Sequence, residues 1–322
     1  MKSIVQDTYG SADVLDFRDI DPPSPKADEV LIQVVAAGVD RGAWHFMTGE
    51  PYLMRLLGFG LRAPNVPVPG TNAAGRVEAV GASVTQFHVG DEVYGAGRSA
   101  WAELACFSED KVARKPAALT FEQAAVMPYA GFAAWQAVHD HGQVAPGQRV
   151  LVVGASGAVG ACAAQLAKAA GAAVTGVCSG RTADLAARLG LDRVVDYTKE
   201  DFTDTQQRFD LIIDVFGRTS INRLRRALTS HGRLVIAGGE GDRWIGGIQR
   251  QLGASLLSPF VPQKLGAFLV KEHARILLEL NPLLEAGKVT PLMDRTFPLV
   301  EAADAVRYLE GGQTRGRIAL VI

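Results

Sequence analysis

Val150-Leu151-Val152-Val153-Gly154-Ala155-Ser156-Gly157-Ala158-Val159-Gly160 is the stretch on which the fold turns. An apolar β-type run at 149–153 enters a glycine-rich turn, and the turn opens an alanine-rich helical run, 157–170, stopped by Gly171. A turn of this kind aims backbone N–H groups and the positive end of a helix at an anion. Glycine is needed there because a Cβ would keep a pyrophosphate from the backbone and the helix from the strand. A glycine motif alone says little. Here a second β-run at 174–177 completes a βαβ unit around it. Gly154, Ala155, Ser156, Gly157, Ala158, Val159 and Gly160 are therefore candidate dinucleotide contacts.

The alternation continues downstream. Helical residues 182–189 stop at Gly190, an almost wholly apolar strand spans 210–215, and a helix at 220–228 precedes a strand at 233–237. Strands this apolar are buried on both faces, as in a parallel sheet covered by helices. The expected fold is α/β with a doubly wound parallel sheet. The end of the second strand chooses the cofactor. A dinucleotide without a 2′-phosphate usually meets an acidic residue there, but this chain has Val177-Cys178-Ser179-Gly180-Arg181. Ser179 can donate to a 2′-phosphate, and Arg181 can form a charge-assisted pair with it. NADPH is the expected cofactor. The other reading of Arg181 is a solvated residue at a helix start.

The first third of the chain has a different texture. Short β-type runs at 29–35, 76–80, 91–94 and 102–107 are punctuated by Pro22-Pro23, Pro67, Pro69-Gly70, Gly90 and Gly95. This predicts a compact β-rich unit. Thr120-Phe121-Glu122-Gln123 reads as a capping box opening an alanine-rich helix that runs to Val138. At the other end, a helix at 271–286, a strand at 289–297, a helix at 299–309 and a strand at 317–321 are expected. Segment 244–270 is apolar but carries Arg243 at its edge, Arg250, Lys264, Pro259 and Pro262. It is open to three readings: a pocket wall, a subunit contact or a membrane-surface contact.

With 322 residues, two domains are expected. The formal charge of −1 gives no pull toward nucleic acid. No run approaches the ~18 apolar residues of a membrane span. Cys106, Cys162 and Cys178 fit no metal or redox spacing, which favours a reducing compartment, and the start lacks the apolar core of a signal peptide. A cytoplasmic protein is expected.

The whole chain resembles the medium-chain dehydrogenase/reductase superfamily, in its zinc-independent quinone oxidoreductase-like branch. The marks are 34–39 (VVAAGV), Pro69-Gly70-Thr71-Asn72-Ala73-Ala74-Gly75 leading into Val77-Glu78-Ala79-Val80-Gly81, Val89-Gly90-Asp91-Glu92-Val93, the glycine turn, Asp196-Tyr197, and Thr314-Arg315-Gly316-Arg317. The resemblance implies a GroES-like β-rich catalytic domain (1–121 and 289–322) around a Rossmann dinucleotide-binding domain (122–288), with the active site in the cleft between them. It also implies cofactor contacts at Tyr197, Gly217, Gly238, Gly239, Arg315 and Arg317, and a homodimer formed edge to edge through the Rossmann sheet.

Relatives with a catalytic zinc place a Cys after the GV of the first mark and a His-Glu pair after the PG of the second. This chain has Asp40 and Thr71-Asn72 there. A catalytic zinc needs about three protein ligands, so no metal is expected. Without a Lewis acid, the suited partner is a small electrophilic acceptor, a quinone or an α,β-unsaturated carbonyl. Asp40 and Tyr52 are the candidate catalytic residues, and Trp44, His45 and Tyr129 the candidate pocket wall. Asp40 stands where zinc-free relatives often carry an asparagine, so its role does not transfer directly. Two further functions stay open: an enoyl reductase acting on acyl thioesters, and an NADPH-binding sensory or structural protein with little turnover.

Overall fold

A computed structural model describes residues 1–204, 207–239 and 241–322. The chain divides into two units. The first comprises Met1–Tyr129, Glu272–Gly287 and Met293–Ile322; the second comprises Ala130–Lys271 and Lys288–Leu292.

The first unit opens with β1 (Lys2–Val5) and β2 (Asp16–Asp19), which pair as an antiparallel ribbon. Its long central strand, β3 (Glu29–Val39), is followed by β4 (Asn72–Val80), β5 (Glu92–Ala96), β6 (Leu104–Ser108) and β7 (Val112–Arg114). β3 runs antiparallel to both β4 and β6. Ile32, Val34, Met47, Trp101 and Phe107 fill the core beneath this sheet. Trp101 is fully buried and donates its indole N–H to the Gly38 carbonyl at 3.0 Å. The capping box forms as the sequence predicts: Thr120 Oγ1 accepts from the Gln123 N–H, and Gln123 Oε1 accepts from the Thr120 N–H. The helix it starts ends early, at Ala125, and a second helix begins at Pro128. Proline suits a first helical turn and resists a helix interior.

The second unit holds β8 (Arg149–Val153), β9 (Ala173–Cys178), β10 (Arg193–Asp196), β11 (Phe209–Asp214), β12 (Leu228–Ile236) and β13 (Lys264–Ala267). All pair in parallel, in the order β10-β9-β8-β11-β12-β13. The order reverses between β8 and β11. In an open sheet of this topology, ligands bind outside the carboxyl ends of the strands at that reversal. Segment 244–270 contributes the helix Ile248–Leu257 and then β13, the edge strand of the sheet.

The chain returns to the first unit with β14 (Met293–Pro298) and β15 (Arg317–Val321); β15 pairs with β3. The unit boundaries differ from the expected 121/122 and 288/289. Residues to Tyr129 and the helix Ala274–Glu285 belong to the β-rich unit. Amphipathic spacing shows that this helix buries one face but not which core receives it. The choice is made by Asn281, which accepts from the Tyr94 hydroxyl at 2.7 Å and donates to the Arg114 carbonyl, and by Glu285, which accepts from the N–H groups of Ala117 and Ala118.

Candidate functional site

The glycine-rich turn sits at the end of β8, beside the strand-order reversal. Gly154 has a φ of +90°, and its N–H and that of Ala155 both donate to the Val177 carbonyl of β9. A Cβ on Gly160 would lie 2.1 Å from the Gly154 carbonyl oxygen. The helix Ala158–Ala169 therefore approaches the turn only because position 160 has no side chain. Gly157 is its N-cap, with no side chain reaching over the first turn. The turn and the open helix start fit a dinucleotide pyrophosphate, and a side chain at 160 would drive the helix off the turn.

The other expected cofactor residues of this unit gather at the same carboxyl ends. Ser179 and exposed Arg181 follow β9, Tyr197 follows β10, Gly217 follows β11, and Gly238 and Gly239 follow β12. A Cβ on Gly154 would touch Phe216, and one on Gly239 would lie 3.2 Å from Gly217 Cα, so these loops converge. The Tyr197 and Phe216 rings lie 5.8 Å apart.

Three further residues shape this edge, of which only Asp196 stands in a family mark. Thr182, buried, donates to Ser156 Oγ at 2.9 Å and lies 3.4 Å from Ser179 Oγ, tying the glycine turn to the end of β9. Asp196 ends β10, and its carboxylate would meet a Cβ on Gly180 at 2.5 Å. It accepts from the Thr198 N–H and hydroxyl, which, ahead of smaller contributions, hold it below the usual carboxylate range. Asp214 ends β11 fully buried. It accepts from the Gly217 N–H at 3.0 Å and is paired with the guanidinium of Arg250, which also donates to the Thr219 carbonyl.

Arg315 and Arg317 belong to the β-rich unit. Arg315 is exposed and gives its N–H to Asp294. Arg317 is buried at the start of β15 and donates to the Val126 carbonyl at 2.6 Å.

The same unit holds the expected catalytic and wall residues. Asp40 is the N-cap of the helix Arg41–Thr48: its Oδ1 accepts from the Ala43 N–H at 2.9 Å. Its Oδ2 accepts from Asn72 Nδ2 at 2.8 Å. Asn72, itself buried, then accepts on Oδ1 from the Tyr129 N–H at 3.0 Å. Burial raises the Asp40 carboxyl above its ordinary range, although the Ala43 hydrogen bond and the Arg317 charge oppose this. Burial, joined by the charges of Asp40 and Glu272, also pushes the Tyr129 phenol up. Asn72 was quoted in a sequence mark but not foreseen at the centre of a network, because its partners lie 32 and 57 positions away.

Trp44 donates its indole N–H to Glu310 at 2.6 Å. His45 Nδ1 contacts the Glu50 carbonyl at 2.7 Å; a carbonyl only accepts, so the proton is on Nδ1. The Arg55 guanidinium covers the Tyr52 ring at 4.6 Å. Among the described residues, no group of three His, Cys, Asp or Glu side chains is placed to hold a metal ion, and no helix is long and apolar enough to cross a membrane.

The fold gives a doubly wound parallel sheet with a glycine-rich turn at its strand-order reversal, and a separate β-rich unit. Comparison with known proteins agrees. Residues 26–138 match the alcohol dehydrogenase GroES-like domain, and residues 189–320 match the family described as zinc-binding dehydrogenase. The 2-methylene-furan-3-one reductase of Solanum lycopersicum is 31% identical over 336 residues, covering 99% of this chain and 79% of that protein. The chloroplastic NADPH-dependent alkenal/one oxidoreductase of Arabidopsis thaliana is 30% identical, with coverage of 99% and 79%. The structure of the quinone oxidoreductase from Coxiella burnetii superposes with a TM-score of 0.86 at 27% identity, covering 100% of this chain and 99% of that one. The chain belongs to the medium-chain dehydrogenase/reductase superfamily, in its quinone oxidoreductase-like branch. Membership places it among oxidoreductases that work with a nicotinamide cofactor.

Proposed function

We propose that this chain is a zinc-free, NADPH-dependent reductase of quinones or α,β-unsaturated carbonyls. The observation that carries the reading is the hydrogen-bonded commitment of Asp40 and Asn72. Zinc-bearing relatives keep ligands at these places, whereas here both Asp40 oxygens and both ends of the Asn72 amide are already engaged. The family description "zinc-binding" covers residues 189–320, a stretch with no cysteine and only the exposed His231 and His273 as imidazoles.

When bound, a nicotinamide dinucleotide would supply hydride to an acceptor whose conjugation already polarises it. The turn at 154–160 would hold its pyrophosphate by backbone N–H groups and the helix end. Ser179 and Arg181 receive the 2′-phosphate, with Tyr197, Gly217, Gly238 and Gly239 lining the rest of the groove. Arg315 and Arg317 remain part of the proposed cofactor set. On the acceptor side, the Tyr52 phenol donates to the developing oxyanion. Asp40 serves through Asn72, keeping that amide and the Tyr129 backbone in place. Trp44, His45 and Tyr129 wall the acceptor.

The alkenal/one reductase named for NADPH supports the choice of cofactor. A homodimer joined at β13 and a cytoplasmic location complete the proposal; light scattering tests the first and fractionation the second.

The test is NADPH oxidation with 9,10-phenanthrenequinone, a simple enone and an enoyl thioester, before and after dialysis against a chelator. Turnover of quinone or enone that survives chelation is expected. Preference for the thioester moves the assignment to an enoyl reductase. Cofactor binding without turnover on any acceptor makes the chain a sensory or structural protein, and stoichiometric zinc essential to activity overturns the mechanism. Arg181→Ala should weaken NADPH far more than NADH, and Asp196→Asn should strengthen NADPH by removing a carboxylate from the same edge. Equal loss of both cofactors in Arg181→Ala refutes the phosphate contact.

A further inference from the structure

Gln6, at the end of β1, is buried to 2% exposure, and its side-chain Oε1 has no hydrogen-bond partner among the described residues. Its Nε2 donates to the Met47 carbonyl at 3.4 Å, and its backbone N–H donates to the Pro67 carbonyl. An unpaired buried carbonyl oxygen costs about 1–3 kcal/mol, so a fold keeps one where something else supplies the donor.

Gln6 lines a cavity of about 40 Å³ within the β-rich unit. The cavity is walled by Tyr9, Phe46, Phe59, Val66, Val68 and Thr71, and none of the candidate catalytic or wall residues borders it. The Tyr9 hydroxyl is already committed, its proton shared between the carbonyls of Phe59 and Gly60. The Phe46 and Phe59 rings lean together at 4.7 Å. Ser99, on another side, holds a left-handed φ of 62°, a conformation that non-glycine residues keep where surroundings impose it.

We propose that this cavity receives a small, neutral hydrogen-bond donor arm of the acceptor, of hydroxymethyl or primary-amide size, with Gln6 Oε1 as its recognition group. Size sets the arm: at about 10–15 Å³ per water-sized atom, the space of about 40 Å³ takes roughly three or four non-hydrogen atoms. Charge sets its neutrality. The lining contains no carboxylate, and its one charged residue is Arg98, so an ammonium arm would be buried without a counter-ion. Thr71 connects the cavity to the acceptor side, since its Oγ1 lies 3.3 Å from Asn72 Nδ2 in the Asp40–Asn72–Tyr129 network. The assignment of the arm to the acceptor rests on the reductase reading; the capacity of the cavity for such an arm does not.

The test titrates the cofactor-free chain with benzyl alcohol and with benzyl methyl ether, which lacks the donor, following the backbone amides of the wall residues Val68 and Thr71 by NMR. Benzyl alcohol should saturate and bind roughly fivefold more tightly than the ether, the worth of one hydrogen bond. Gln6→Leu should remove that difference. Val66→Phe, at a half-buried wall position, should abolish binding of both with Gln6 intact. Equal binding of the two probes to the native chain overturns the proposal. So does a preference that survives Gln6→Leu, or benzyl alcohol binding that survives Val66→Phe. Non-saturable titration, as when a resident water keeps the Gln6 carbonyl, overturns it as well. A second arm compares KM for enones bearing a hydroxymethyl or a methoxymethyl substituent. A lower KM for the hydroxymethyl compound, lost in Gln6→Leu, is expected; no difference overturns the assignment to the acceptor. Absence of turnover on every acceptor with probe binding intact overturns the reductase reading instead, so the two failures are distinguishable.

Discussion

Replacing Asp40 separates a tether from an acid–base group. Its carboxylate makes two charge-assisted contacts, with the Ala43 N–H at 2.9 Å and Asn72 Nδ2 at 2.8 Å. Asp40→Ala loses the helix cap, worth about 1 kcal/mol. It also leaves the buried Asn72 amide nitrogen with only the 3.3 Å contact to Thr71, a cost of about 1–3 kcal/mol. Removing a poorly solvated charge returns part of this, so a net loss of roughly 2–3 kcal/mol is expected. Asp40→Asn has one acceptor oxygen where the carboxylate has two. If that oxygen keeps the cap, its amide nitrogen faces Asn72 Nδ2; if Asn72 flips, two donors meet at the Tyr129 N–H. One mismatch persists in either arrangement. Because burial raises the Asp40 pKa in the folded chain, the native state favours the proton. The wild type therefore loses stability as pH rises from the unfolded value of about 4 through the raised folded value. Asn does not titrate, so its deficit relative to wild type should be largest in acid and shrink toward neutrality. Urea midpoints followed by tryptophan fluorescence, with buried Trp101 among the reporters, measure both effects. A deficit of the same size at all pH values, or Asp40→Ala within about 0.5 kcal/mol of wild type, a surface-like effect, would refute this reasoning.

Gly160→Ala places a methyl 2.1 Å from the Gly154 carbonyl oxygen. The turn must shift, so NADPH affinity should fall at least about tenfold, the worth of 1.4 kcal/mol; fluorescence titration checks this, and unchanged affinity would remove the cradle from the binding site. Arg250→Met strands the fully buried Asp214 carboxylate and should cost about 3–5 kcal/mol, with Arg250→Met/Asp214→Leu recovering much of it in chemical denaturation. No recovery in the double variant would mean that the pair does more than neutralise itself. The Cys106 thiol, pushed up to about 11 by burial and by Glu29, should react with iodoacetamide at pH 8 about a hundredfold more slowly than an unperturbed thiol near 8.5; a rate near that of free cysteine would place it in water.

The cofactor side of this protein is written in local sequence. The strand–turn–helix at 149–169, the capping box at Thr120 and the apolar runs 210–215 and 233–237 depend on residues within a few positions of each other, and they form nearly where periodicity places them. Strand β13 was not legible: Lys-Leu-Gly-Ala has no alternation to read, and it becomes a strand because β12 offers an open edge. Asp40 is expected from the sequence as a catalytic residue, whereas the structure makes it an N-cap, a place aspartate commonly takes before an amphipathic run. Its second partner, Asn72, lies at the start of β4, 32 positions away, and no local window shows it. The proposed acceptor side rests on such distant pairs: Asp40 with Asn72, Asn72 with Tyr129, Gln6 with Met47. On the proposed function, a branch of this superfamily can keep its glycine turn while changing the acceptor through single substitutions at these pairs, because no local element has to reform when they change. In this chain, cofactor preference is then a property to read from short windows of sequence. Acceptor preference needs the fold.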